Sequence, residues 1–464
     1  MSAIPIHELN EAQRRAVGLT AGPGLVIAGA GTGKTRVLTT RIVHLLEQGV
    51  APSRILAVTF SRKAARELSA RVEHLVGTAA AHMQISTFHA LGLHILREQA
   101  ECRPRARRLR VLAGPEQVRL VRALLASMGE PNDEAMVAGV LRAVSVAKNR
   151  DGSPVALDEP GQAFLVRYEE NLHGMGVLDF DDLVLRPIKL MEERPEVASY
   201  YQGRWKHVLV DEYQDTSRGQ HRLMRSLIGP ERNIFVVGDD DQSVYGFRGA
   251  EVDRILEFPS EFAGCQTVTL EVNYRSREPI VGLANEVIAQ ARRRFAKRLR
   301  PQMGQGPLVE WIATGDEIEE RMWLAEKVAW VVSGLRVDIK DIAILVRVRS
   351  QLSNYREGLE ACGLPCVVGE PSMPPAGVRL MTLHQAKGLE FRVVFLPAVE
   401  DRLLPHFHAL GEDAVEEELR LFYVGITRAR DRLFLSSSSR RKGHAQIPSR
   451  FLSGVRGSRY LVCT

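Results

Sequence analysis

The chain has 464 residues, 45% of them apolar and 25% charged, and its 62 basic and 56 acidic side chains leave a net charge of +6. That length and composition suit about three globular domains, and the basic balance permits nucleic-acid binding. No apolar run is suited to a membrane span, and the five scattered cysteines (Cys102, Cys265, Cys362, Cys366, Cys463) exclude a disulfide framework and a four-cysteine iron–sulfur cluster. With no charged-then-apolar leader either, the chain is expected to be cytoplasmic.

Leu9–Val17 reads as a short amphipathic helix. Gln13 within it has a second use, because a carboxamide donates and accepts at once and so matches N6 and N7 of adenine. The apolar run Leu25-Val26-Ile27 leads into Ala28-Gly29-Ala30-Gly31-Thr32-Gly33-Lys34-Thr35, and Arg36-Val37-Leu38 opens a helix. Strand, Gly-rich loop and helix are the parts of a P-loop. The glycines let backbone N–H groups approach phosphates, and the helix N-terminus favours their charge. Lys34 reaches the β- and γ-phosphates, and Thr35 offers its hydroxyl to Mg²⁺. Ala28 stands where the first glycine of the pattern usually sits.

Ile55–Phe60 is a buried-strand pattern, and Ser61 caps a helix behind it. Gln84–Ala90 is another strand end, carrying Phe88 and His89. Aromatics at such ends sit where open α/β sheets bind ligands, although a core position for Phe60 and Phe88 is an equal reading. From Leu91 to about Met175 the pattern is helical with no strand alternation, with a basic cluster at Arg103–Arg108. Leu178–Leu183 resumes the first domain. The strand Val208–Val210 ends in Asp211-Glu212, where Asp211 suits Mg²⁺ and Glu212 suits a general base.

The strand Ile234–Val237 ends in Gly238-Asp239-Asp240-Asp241-Gln242-Ser243-Val244-Tyr245-Gly246-Phe247-Arg248-Gly249. Gln242 is placed to sense a γ-phosphate. Tyr245, Phe247 and Arg248 interleave aromatic and cationic groups, as single-strand stacking requires. A second set of strands and helices opens near Val268, without a second P-loop. Arg292–Arg300 is its densest basic run, and the plainest reading is a solvated helix face. Near the end, Tyr423–Arg430 holds arginines of the kind that stabilise a transferring γ-phosphoryl group.

The Gln13 segment, Ala28–Thr35, Thr59–Ala65, Thr87–Gly92, Leu178–Leu183, Val210–Thr216, Val237–Ala250, Asn273–Ser276, Met381–Phe391 and Tyr423–Leu433 come in the order of a known motif set. They resemble the UvrD/Rep/PcrA-like superfamily 1A DNA helicases over nearly the whole chain. The resemblance implies an α/β fold of two RecA-like P-loop NTPase-type domains with parallel sheets, plus a helical insertion called 1B. It implies RecA-like domain 1A at 1–91 and 175–268, 1B at 92–174, and RecA-like domain 2A at 269–464. Relatives carry a further helical subdomain, 2B, after the strand that corresponds to Cys366–Gly369. Here the Pro-rich Glu370–Gly377 makes a short turn instead. Little chain follows Arg430, so no nuclease domain or long partner-binding tail is expected.

What the resemblance implies about function is an ATP-dependent 3′-to-5′ DNA helicase. Such an enzyme hydrolyses ATP with Mg²⁺ between its two RecA-like domains and steps along single-stranded DNA, in repair or replication. Gln13 would read adenine, flanked by Tyr274 and Arg36, and Glu390 would meet the ribose. Ala28, Gly29, Ala30, Gly31, Thr32, Gly33, Lys34 and Thr35 would cradle the phosphates. Lys34, Asp211, Glu212, Gln242, Arg275 and Arg428 would be catalytic, with Thr35 and Asp211 on the metal. Phe60, Phe88, His89, Tyr245, Phe247, Arg248, Thr382 and His384 would line the DNA track. Phe247 stands where many relatives have Trp, and offers a smaller stacking face. The expected partners are single-stranded and tailed duplex DNA and an unidentified loading protein, with the chain a monomer in isolation. The alternative is a single-strand translocase that removes proteins without unwinding, or that needs a partner to unwind.

Overall fold

The computed structural model describes residues 6–19, 21–101, 109–112, 114–149, 159–246, 249–369, 376–455 and 458–463. Phe247, Arg248, most of the turn at 370–377 and the basic cluster 103–108 lie outside them. The chain divides into two compact units. The first is Met1–Val26, Thr35–Val237 and Phe247–Val268; the second is Ile27–Lys34, Gly238–Gly246 and Thr269–Thr464.

In the first unit, α1 (Glu11–Val17) precedes β1 (Gly24–Ala28), α2 (Lys34–Glu47), β2 (Ile55–Thr59), α3 (Arg62–Val76), β3 (Gln84–Thr87) and α4 (Phe88–Glu101). Ser61 caps α3, its Oγ accepting the Ala64 N–H at 3.1 Å. A helical excursion follows, from β4 (Arg110–Val111) through α5 (Pro115–Ser127), α6 (Glu134–Lys148) and α7 (Glu159–Met175) to β5 (Val177–Leu178). Then come α8 (Asp182–Glu193), α9 (Pro195–Arg204), β6 (His207–Val210), α10 (Arg218–Leu227), β7 (Ile234–Gly238), α11 (Asp253–Glu261) and β8 (Gln266–Leu270). The six-stranded sheet has the order β3-β2-β6-β7-β1-β8, and β2 runs parallel to β3 and β6, as β6 does to β7. Crossovers through helices give parallel neighbours, and strands buried on both faces read as unbroken apolar runs such as Ile55–Val58.

The excursion has its own core, built from Val121, Leu124 and Leu125 of α5, Val137 and Val144 of α6, and Phe164, Tyr168 and Leu172 of α7. Its ends are tied by β4 and β5, which pair in parallel through Arg110↔Val177 and Val111↔Leu178. Two residues are too few to show an alternation, so no strand was legible there. A buried ion cluster fixes it below. Lys148 Nζ lies 2.7 Å from Glu169, 2.8 Å from Asp179 and 2.9 Å from Asp182. Burial opposes the Lys148 charge, but Asp179 and Asp182 outweigh it and raise its pKa.

The second unit holds β9 (Val272–Asn273), α12 (Glu278–Ile288), β10 (Arg300–Pro301), β11 (Val309–Thr314), α13 (Glu317–Ser333), β12 (Ile342–Val346) and α14 (Leu352–Ala361). It continues with β13 (Cys366–Val368), β14 (Val378–Thr382), β15 (Phe391–Leu396), α15 (Glu412–Ile426) and β16 (Ala429–Ser438). The hairpin β17 (Arg440–Arg441) and β18 (His444–Ala445), α16 (Arg450–Ser453) and β19 (Leu461–Cys463) complete it. Its seven strands have the order β13-β14-β12-β15-β16-β11-β19, and every pairing is parallel. Alternation sorts the core. Ile342, Ile344 and Val346 pack with α13 and α14, while Ala343 and Leu345 pack with α12 and α15. Among the described residues no helix is long and apolar enough to cross a membrane.

Three expectations change. The strand at Val268, read as opening the second set, is β8 and lies at the edge of the first sheet beside β1. The P-loop and the turn after β7, expected in the first domain, group with the second unit. The cause is local bonding: Gly29 N–H donates to the Leu270 carbonyl at 3.2 Å, and Asn273 Nδ2 to the Ala30 carbonyl at 2.7 Å. Lastly, Arg292–Lys297 is not helical, and two of its cations point inward to aspartates 53 to 57 residues away in sequence.

Gly92 on α4 meets α8 so closely that a Cβ there would stand 1.6 Å from the Leu183 carbonyl oxygen. Alanine gains about 1 kcal/mol over glycine in an open helix, but overpacking costs about 1–3 kcal/mol, so packing decides the sign. Gly92→Ala is expected to lower the thermal unfolding midpoint followed by circular dichroism. An unchanged or higher midpoint would mean that the two helices have slack.

Candidate nucleotide and nucleic-acid sites

The first unit places Asp211 and Glu212 where β6 ends. Asp211 N–H bonds back to the Val58 carbonyl at 2.9 Å, and Asp211 Oδ1 accepts the Glu212 N–H at 3.0 Å. Glu212 has φ +50°, a left-handed backbone that costs a non-glycine residue energy and that clusters at functional sites. Gln214 Nε2 donates to its carboxylate. Thr35 lies in the first turn of α2. Gln13, 2% exposed, completes a capping box: Asn10 Oδ1 accepts the Gln13 N–H, and Gln13 Oε1 accepts the Asn10 N–H at 3.1 Å. Arg36 pairs with Glu8 at 3.0 Å.

At the β3 end, Phe88 is 3% exposed and belongs to the core, whereas His89 is only part-buried. The His89 ring lies 4.8 Å from that of Phe180, which is 41% exposed. Phe180 was not singled out from sequence. Its signal was available in Leu178–Leu183, an aromatic set between aspartates. Phe60 is part-buried at the end of β2.

In the second unit the P-loop turns at Gly31 (φ +69°) and Gly33 (φ +88°), which only glycine adopts at little cost. Gly31 is also sterically required, since a Cβ would meet Asn273 Nδ2 at 2.6 Å and Arg275 Cβ at 2.7 Å. Ala28 ends β1 in extended backbone, so its methyl group is accommodated. Thr32 Oγ1 donates to the Gly29 carbonyl at 2.8 Å. Lys34 Nζ reaches the Ala28 carbonyl at 3.3 Å and lies 3.9 Å from Asp239 Oδ2.

Asp239, Asp240 and Asp241 are all buried around Lys297, whose Nζ lies 3.2 Å from Asp239 and 2.8 Å from Asp241 and donates to Asp240. Arg294 makes a two-pronged bond to Asp241, at 2.8 Å on each oxygen. Burial opposes the Lys297 charge, but the three carboxylates overcome it and raise its pKa. Asp239 is itself lowered: burial raises it, and Lys297 and Lys34 more than compensate.

This cluster fixes Gln242. Its Nε2 donates to Asp239, its Oε1 accepts from Arg428 Nη2 at 3.1 Å, and its carbonyl accepts from Lys387 Nζ at 2.6 Å. Arg428 is 1% exposed, with Nε on the Val424 carbonyl at 2.9 Å and Nη1 on the Leu389 carbonyl at 3.1 Å. Arg275 bonds Glu390 at 2.7 Å and the Thr427 carbonyl at 3.2 Å. Tyr274 is 42% exposed, and its backbone N–H donates to the Gly31 carbonyl at 2.9 Å.

Tyr245 gathers a second group. Its hydroxyl donates to the His384 carbonyl at 3.3 Å, the two rings are 6.4 Å apart, and Lys387 Nζ stands 5.0 Å over the Tyr245 ring. Thr382, 8% exposed, donates to Gln385 Oε1 at 3.1 Å. Sequence reasoning missed Lys387, Asp239 and Lys297. Lys387 and Asp239 lie inside quoted motifs, but the pairing of Asp239 with Lys297 is non-local.

Thr35 and Asp211 offer one hydroxyl and one carboxylate. Among the described residues no group of three or more His, Cys, Asp or Glu is arranged to hold a metal ion. A donor set that small fits Mg²⁺ bound jointly with substrate phosphates, and does not fit an all-protein cage.

Comparisons with known proteins bear on this constellation. The UvrD/REP helicase N-terminal domain matches residues 9–263, and the UvrD-like helicase C-terminal domain matches 268–373 and 371–440. The ATP-dependent DNA helicase PcrA of Bacillus subtilis is 37% identical over 365 residues, covering 77% of this chain and 49% of that protein. DNA helicase II of Rickettsia typhi is 36% identical over 374 residues, covering 78% and 56%. PcrA of Staphylococcus epidermidis is 28% identical over 630 residues, covering 97% and 86%. The chain thus spans about half the length of the first two relatives. These matches join the two parallel sheets and the P-loop in one assignment: the chain belongs to the UvrD/Rep-like family of DNA helicases, whose domains are RecA-like.

Proposed function

We propose that this chain is an ATP-dependent DNA helicase that moves 3′ to 5′ on single strands, in DNA repair or replication. The observation that supports this reading most is the turn Gly238–Gly246. It carries Gln242, locked by Asp239 and Arg428, and three residues on it carries Tyr245, flanked by His384 and Lys387. A phosphate sensor and a base-stacking ring therefore share one short rigid segment.

In the proposed reaction a water attacks the γ-phosphorus of ATP in line with departing ADP. The P-loop N–H groups and Lys34 hold the phosphates. Glu212 accepts the proton of the attacking water. Gln242 and Arg275 meet the charge developing on the γ-phosphoryl oxygens. Arg428, buried and bonded at all three guanidinium nitrogens, acts by orienting Gln242 and not as an exposed finger. Thr35 and Asp211 would hold Mg²⁺, which offsets phosphate charge when bound. Tyr274 is exposed beside the loop, where an adenine can stack. Tyr245 and His384 in the second unit, and Phe60, His89 and Phe180 in the first, supply the stacking faces for single-stranded DNA.

A second reading, a translocase that clears proteins without unwinding, draws on an internal gap. The alignment to the Staphylococcus epidermidis protein runs over 630 residues, more than the 464 here, and the C-terminal family match comes in two pieces meeting at residues 371–373. That relative therefore carries chain within the C-terminal match that lacks a counterpart here, and the second reading takes unwinding to depend on it.

A duplex with a 3′ tail and a matched one with a 5′ tail separate these readings. Strand separation of the 3′-tailed substrate alone is expected, with ATP turnover cut about 10²–10³-fold in Lys34→Ala. Intact single-strand-stimulated turnover with neither duplex opened would select the translocase.

His89 adds a pH prediction. Burial first, and the Arg62 charge second, lower its pKa to about 4, below the unfolded value of about 6.5. Its folded environment thus favours the neutral ring, a contribution fully present above about pH 6.5 and lost as the pH falls towards 4. The His89 ring proton in an NMR titration, assigned through His89→Gln, is expected to shift with a midpoint near 4. A midpoint near 6.5 would contradict the burial argument.

A further inference from the structure

Glu417 lies on α15, outside every group given a role above. Its Oε1 accepts the Gly246 N–H at 2.9 Å. Its other oxygen occupies the space a side chain would need there: a Cβ on Gly246 would meet Oε2 at 2.4 Å. The carboxylate therefore lies over Gly246, next to Tyr245.

The turn that ends the same helix reaches the other end of the segment. Two residues beyond Ile426, Arg428 bonds Gln242 Oε1 at 3.1 Å. From Glu417 to Ile426 the helix runs about 14 Å, and two more residues lead to Arg428. Gln242–Gly246 is thus fastened at one end to α15 and at the other to the turn that follows it. Neighbouring carboxylates serve other loops. Glu416 accepts the Arg292 and Arg293 N–H groups at 3.2 Å, and Glu418 takes Arg347 at 2.6 Å.

We infer that Glu417 is a positioning residue that holds Tyr245 in its stacking place through Gly246, and so couples strand binding to Gln242. This inference rests on the motor reading above. A strand stacked on Tyr245 pulls on a segment that α15 holds against Gln242. Without Glu417 the Gly246 end is loose, and the strand's presence is no longer passed to the phosphate end.

The test is steady-state ATP turnover of the full chain with and without an oligothymidine strand, in Glu417→Ala, Glu417→Gln and Gly246→Ala. In Glu417→Ala, turnover without DNA is expected to match the parent. The strand concentration for half-maximal stimulation should rise about tenfold, the scale of one lost charge-assisted hydrogen bond. Glu417→Gln keeps an acceptor oxygen and should restore most of the response. Gly246→Ala displaces the carboxylate and should reproduce the Glu417→Ala shift, which keeps the test alive if Glu417→Ala does not fold. Parental half-saturation in both Glu417→Ala and Gly246→Ala would overturn the inference. So would equal loss of basal and stimulated turnover with no glutamine rescue. A parent that hydrolyses ATP without any response to the strand would instead sink the motor reading, and the inference with it.

Discussion

One ammonium group buried among three consecutive carboxylates underlies the whole second-unit site. Lys297 is surrounded by Asp239, Asp240 and Asp241, and Arg294 and Lys34 complete the balance of three negative and three positive charges. Removing one partner of such a buried set costs about 3–5 kcal/mol, because the charges left behind have lost their water. The cluster therefore fixes the turn after β7 in one conformation, and with it the Gln242 carboxamide. Lys34 is the loosest member, at 3.9 Å. It can turn to a phosphate while Lys297 keeps Asp239 neutralised, so the loop is charged for an anion without being unstable empty.

Around that point the geometry is set by one side chain bonded to main chain. Asn273 grips the loop through the Ala30 carbonyl, and its Oδ1 accepts the Arg275 and Ser276 N–H groups at 3.0 and 2.8 Å. One carboxamide thus registers the P-loop against the segment that supplies Tyr274 and Arg275. The precision comes from hydrogen bonds to main chain, which tolerate little drift, whereas the Tyr274 side chain beside them stays exposed.

The parts legible in sequence were those whose cause is local. The P-loop shows itself because glycine at positive φ, a lysine and a helix start fall within eight residues. Ser61 marks a helix because its hydroxyl reaches only three residues on. Strands β6 and β12 read as apolar runs because both faces are covered. The illegible parts are long-range. Lys297 looked like one cation in a solvated run, since nothing near it in sequence shows that it faces Asp239–Asp241. Strand β8 looked like the start of a new set, because its partner β1 lies more than 230 residues away. Phe88 and His89 are adjacent and aromatic, and only the packed fold separates the core ring from the half-buried one.

The parallel order of the second sheet has a consequence for synthesis. Strand β11 lies between β16 and β19, with Trp311 opposite Leu435 on one side and Cys463 on the other. Both neighbours are translated more than a hundred residues later. At ordinary elongation rates β11 leaves the ribosome with two open edges, and keeps them for on the order of ten seconds. Over that interval the Val309–Thr314 backbone can pair with any other extended chain it meets. The nascent chain thus passes through an aggregation-exposed stage that its finished fold conceals completely.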